Sequence, residues 1–178
     1  MLVRILRYLM LLGMVVWLGG IIFFGAVMAP VIFSVLPSTD LAGSVIGLSL
    51  RILHAIGLTA GVVFLAIFFV SWQRFPESRF TRIVPILVMV MLLLTAISQF
   101  YVIPKMEKLR AQMAGYTYAT GLPDWEKKAE EARQSFDSLH HWSTRLEGTV
   151  LIFGLVVLGY FVHEEPASAV RHKEIDTT

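Results

Sequence analysis

The sequence predicts an all-α polytopic membrane protein: four transmembrane helices, with an extramembrane antiparallel helical hairpin between spans three and four. Three observations predict it. The 178 residues are 56% hydrophobic and only 16% charged, against about 25% charged in ordinary soluble domains. The apolar residues are also gathered into runs, with no formal charge from Tyr8 to Thr39, Ile52 to Gln73 or Ile83 to Pro104. Each run exceeds the ~18 residues that mark a membrane crossing. Finally, the segment after the third run carries many charges yet keeps a helical period. A soluble globular fold is thereby excluded. The absence of Cys removes a disulfide-stapled fold, and a net charge of +2 gives no ground for nucleic-acid binding.

The first span is read at about 5–34. It follows Arg4 and Arg7 and is much longer than the hydrophobic stretch of a cleaved leader. Pro37 ends it, and the polar loop Pro37–Asp40 leads through Leu41–Leu50 into a second span at about 48–72. The third span covers about 83–104. For the fourth, Gly148–Val162 supplies only 15 uncharged residues, so the length a bilayer demands pushes its start back to about 143 and its range to 143–162. Residues 1–163 thus form one transmembrane domain, and 164–178 a polar tail without periodicity, expected to be disordered.

Between spans three and four, residues 105–142 read as the hairpin. Val102, Met106, Leu109 and Met113 continue a helical stripe past Pro104, where a kink is expected. Gly115 reads as a helix stop, 116–122 as the turn, and Asp124 as the N-cap of the returning helix. Arg4, Arg7, Arg74, Arg79 and Arg82 flank one side of the spans, whereas the loop between spans one and two has no Lys or Arg before Arg51. The bias of basic residues toward the cytoplasm then places both termini inside, in a plasma (inner) membrane. The lipid bilayer is the implied partner, and helix-face glycines permit a homodimer or a larger membrane complex without requiring one.

Ionisable residues inside a span are costly and turn toward the bundle interior. Here they gather at one end: Arg51 and His54 open span two, while His140, Arg145 and Glu147 open span four. Gly47, Arg51, His54, Leu58 and Gly61 share one face, and His140, Thr144, Glu147 and Leu151 another. Helix rise sets Glu147 about 10.5 Å deeper than His140, and His54 about 4.5 Å deeper than Arg51. Straight helices therefore cannot pair Arg51 with Glu147 and His54 with His140 together. An arginine without a counter-charge is the costlier failure, so the expectation is an Arg51–Glu147 ion pair, His54 hydrogen-bonded below it and His140 nearer the water. Gly57-x-x-x-Gly61 and Gly25-x-x-x-Ala29 are expected to let helix backbones approach.

Two readings of this cluster of Arg51, His54, Glu147 and His140 stay open. In the first it clamps two helices in register. In the second it is a ligand, proton or metal site, with haem b or copper held through His54 or His140 and Met28 or Met106 as a soft thioether donor. No metalloprotease, phosphate-loop or nucleophile-elbow motif is present. The chain reads as more probably an accessory or small-ligand-handling component than an enzyme.

Three stretches carry a resemblance: Phe23-Phe24-x-x-x-Met28-Ala29-Pro30-x-x-Phe33, Leu50-Arg51-x-Leu53-His54-x-x-Gly57 and Phe136-x-x-Leu139-His140-x-x-Ser143-x-x-x-Glu147-Gly148. Together they resemble the transmembrane-protein-205-like family of small four-helix membrane proteins, largely without an assigned activity. More distantly, the layout is similar to the copper-resistance D proteins and to HemJ-type haem-synthesis oxidases. That likeness implies metal or porphyrin chemistry by analogy of fold alone.

Overall fold

The computed structural model describes residues 2–71, 79–118 and 124–163, and every regular element among them is helical. The first crossing consists of α1 (Leu2–Phe23), a π-helical turn at Phe24–Met28, and α2 (Ala29–Val35). Pro30 accounts for the wide turn. A proline inside an α-helix offers no N–H to the carbonyl four residues back, and its ring crowds that carbonyl. The π turn relieves the crowding by letting the Ala29 N–H reach the Phe24 carbonyl, five residues away. Leu36, ahead of Pro37, is extended as a pre-proline residue should be.

Helix α3 (Thr39–Val70) starts earlier than the 48 expected from the apolar run. Ser38 is extended, and its Oγ accepts the Leu41 N–H at 3.1 Å. Asp40 adds a carboxylate in the positive first turn. No proline follows to interrupt the helix, so Leu41–Leu50 is its first three turns rather than a lead-in.

Helix α4 (Arg79–Ile97), a second π turn at Ser98–Val102 and α5 (Ile103–Tyr118) follow one another without a gap. The kink expected at Pro104 takes the form of this π turn, in which the Ile103 N–H reaches the Ser98 carbonyl. Gly115 does not stop α5, which continues to Tyr118. Asp124, at φ 63, stands just before α6 (Trp125–His163), and its carbonyl accepts the Lys128 N–H at 3.1 Å. The 39 residues of α6 join the returning arm of the hairpin to the fourth crossing without interruption. The rest of the turn expected at 116–122, and the tail at 164–178, lie outside the described residues.

The helices α1, α3, α4 and α6 form a ring in that order, each packed on its two neighbours, while α5 lies against the first half of α6. Met10, Met14, Trp17 and Leu18 of α1 point inward, as do Phe64 and Phe68 of α3, Val84, Val88 and Met91 of α4, and Val150, Val157 and Phe161 of α6. Phe64 stacks on Phe68 and meets Phe161 edge-on, with centroids 6.4 and 5.8 Å apart. The outward faces are apolar too, with Leu12, Val16, Val62, Leu93, Ile152 and Leu155 exposed. A helix apolar on all sides needs an apolar solvent. Four helices are long and apolar enough to cross a membrane, so the chain is that of a membrane protein in contact with lipid.

Glycine sets the spacing within this ring. A Cβ on Gly57 would fall inside the Trp17 indole, and one on Gly61 would stand 2.9 Å from Trp17 Cζ3. The Gly57–Gly61 stripe therefore receives a ring rather than a neighbouring backbone. Gly25 corrects the sequence reading more sharply. It lies in the first π turn with nothing within 4 Å of a Cβ built on it, so Gly25-x-x-x-Ala29 brings no helix close.

Candidate functional site

Ionisable and amide side chains from four segments meet at one end of the ring. His54 of α3 is 1% exposed, its Nε2 2.6 Å from Glu147 Oε1 of α6 and its Nδ1 3.2 Å from Gln99 Oε1 in the second π turn. Gln99 Nε2 donates to the Arg51 carbonyl at 3.4 Å, which turns the amide oxygen toward His54. A carbonyl oxygen only accepts, so His54 Nδ1 carries a hydrogen. One more proton lies between Nε2 and Glu147, either on the ring and donated to a carboxylate or on the carboxyl and donated to the ring. In both arrangements the pair is neutral as a unit, the state a low-dielectric interior favours.

Arg51 does not pair with Glu147. Its Nη2 donates to Glu107 Oε2 of α5 at 2.6 Å, and the two side chains are 39% and 40% exposed. The expected pairing fails because α5 supplies a carboxylate on the watery side. A long arginine extends toward that side more cheaply than it turns across the core, leaving Glu147 to the histidine. Arg110 of α5 reinforces the junction. Its guanidinium lies 5.4 Å from the Phe136 ring centroid and would stand 2.9 Å from a Cβ on Gly43. Gly43 thus leaves room for α5 to lean its charged side chains on α3.

His140 is apart from this group, exposed on α6 and stacked on Phe136 with centroids 6.5 Å apart. Seven residues before Glu147, it is about 10.5 Å away along the helix. Met28 lies in the first π turn, and Met106 is half-buried on α5. Among the described residues, no three His, Asp or Glu side chains stand close enough to hold a metal ion. Both His54 nitrogens are engaged, so ligating haem or copper through that ring requires giving up Gln99 or Glu147.

Sequence reasoning missed Gln99 and Glu107. A signal for the first was available, since Thr95, Ser98 and Gln99 are polar residues at helical spacing inside an otherwise apolar run. Glu107 had no comparable signal, being one of many charges in the hairpin segment.

Fold and site together define a multi-helix membrane protein with a polar junction at one end of its bundle. The chain matches the family described as DUF4149, a domain of unknown function, over residues 12–115, and it belongs to that family. No curated protein matches it, and no solved structure does.

Proposed function

We propose that the protein is a non-enzymatic, multi-pass membrane component with an accessory or small-ligand-handling role, whose polar junction is structural first. The observation that carries this reading is His54, fully enclosed and bonded at once to α6 and to the π turn between α4 and α5. A buried hydrogen-bonded pair with a single geometry fixes helix register more sharply than apolar packing does. Arg51–Glu107 and Arg110–Phe136 then seat the α5–α6 hairpin on that fixed base. The charged surface of the hairpin supports its standing outside the lipid. With both termini cytoplasmic in the plasma membrane, that side is the outer one. The resemblance to the transmembrane-protein-205-like family supports the same class of protein.

The test is thermal melting in detergent combined with protease mapping of the hairpin. Glu147→Gln removes the charge and should lower the melting temperature. Glu107→Gln should expose α5 to cleavage while leaving the melting temperature nearly unchanged. If Glu147→Gln melts like the parent, the junction is not a clamp.

A further inference from the structure

Two hydroxyls deeper in the ring have no explanation in the junction as described. Thr95 and Ser98 of the third crossing are buried, and neither oxygen has a hydrogen-bond partner. Hydroxyls within helices ordinarily donate to their own backbone one turn back. Thr59, Thr144 and Thr149 do so at 2.8, 3.0 and 2.8 Å. An enclosed hydroxyl without a partner is costly, and a buried water is its usual remedy.

Register places both hydroxyls beside the histidine. His54 bonds to Gln99, and a Cβ on Gly61 would stand 2.6 Å from Leu92 Cδ2. The antiparallel α3 and α4 therefore set Ser98 almost level with His54, and Thr95 about one turn deeper. Below Thr95 the wall is apolar, made of Met91, Trp17 and Phe64. Above, the junction opens at the half-exposed Arg51–Glu107 pair. The charged or titratable groups facing His54 are Glu147 from α6 and, on the open side, Arg51 and Glu107. The α1 residues at this level are Trp17 and Gly20, which carry no charge.

We propose that Thr95 and Ser98 hold internal water in contact with the His54–Gln99–Glu147 group, forming a polar well open to one membrane face and closed at Met91. The proton between His54 and Glu147 exchanges with that face alone, through water. This deepens the small-ligand reading above, with water as the ligand, and it rests on that reading's assignment of the cluster to the bundle interior.

The experiment is NMR on the full chain in lipid nanodiscs, with methyl-labelled Thr and Met and nitrogen-labelled His. Wild-type protein should show magnetisation transfer from water to the Thr95 methyl and none to the Met91 methyl. In Thr95→Val combined with Ser98→Ala, the His54 ring N–H should exchange with water about tenfold more slowly. Absence of water transfer at the Thr95 methyl in wild type overturns the proposal without any variant. So does unchanged exchange in the double variant, particularly with a raised melting temperature, because removing dry hydroxyls relieves their desolvation penalty. Transfer reaching Met91 overturns the closed end. A dry well leaves the clamp standing, whereas an unaffected Glu147→Gln melt removes the clamp whatever the hydration.

Discussion

The two ends of the helical ring are held together by different physics. Around Phe64, Phe68 and Phe161 the helices meet through ring shape and volume alone. Around His54 the same helices meet through directed bonds among His54, Gln99 and Glu147. Lipid supplies little hydrophobic force between helices, so both ends depend on close contact. Contact by volume tolerates sliding, and contact by hydrogen bonds does not. The polar end is accordingly where register is set, and the aromatic end is where tightness is set.

The largest expected effects test this contrast directly. Glu147→Ala, which leaves His54 enclosed without a partner, should destabilise by about 3–5 kcal/mol. Phe68→Ala should cost a similar ~3–5 kcal/mol by opening a cavity. The two differ in their cure. His54→Leu added to Glu147→Leu should recover most of the stability, because an apolar pair of similar volume carries no unpaired charge. No second-site change of charge will mend Phe68→Ala. Equilibrium unfolding in detergent measures all four. Next in size is Gly57→Ala, at about 1–3 kcal/mol, since the new methyl must displace the Trp17 indole. Trp17→Phe should offset part of that loss in the same assay.

Smaller effects sharpen the comparison. Arg51→Leu and Glu107→Gln should each change stability by under about 1 kcal/mol, given the exposure of the pair, and their coupling in a double-mutant cycle should shrink as salt is added. Gly25→Ala should be close to silent in the melting assay, because nothing stands near it. A Gly25→Ala loss as large as that of Gly57→Ala would mean that another chain covers this face.

Much of the fold was legible in the apolar runs, because lipid demands long uninterrupted helices and punishes charge within them. The gathering of Arg51, His54 and Glu147 at one end was legible for the same reason. The pairing within that group was not. It depends on Gln99 and Glu107, and on a π turn that sequence periodicity does not register. Helix rise separated His140 from His54 correctly, since that argument needed only straight geometry along α3 and α6. The Arg51–Glu147 expectation failed where it left α5 out of the set of helices within reach of the arginine. Gly25-x-x-x-Ala29 failed for a related reason: spacing shows which residues share a face, not whether a neighbour stands opposite.

The two wide turns, at Phe24–Met28 and Ser98–Val102, each end two residues before a proline. Such a turn is, in effect, one surplus amino acid wound into the coil. Deleting a single amino acid at the second would rewind everything downstream by about 100°. Glu107 and Arg110 would swing off α3 together, and the arm carrying them would part from its base. Evolutionary tinkering with chain length is thus far less forgiving at this point than a change of side chain.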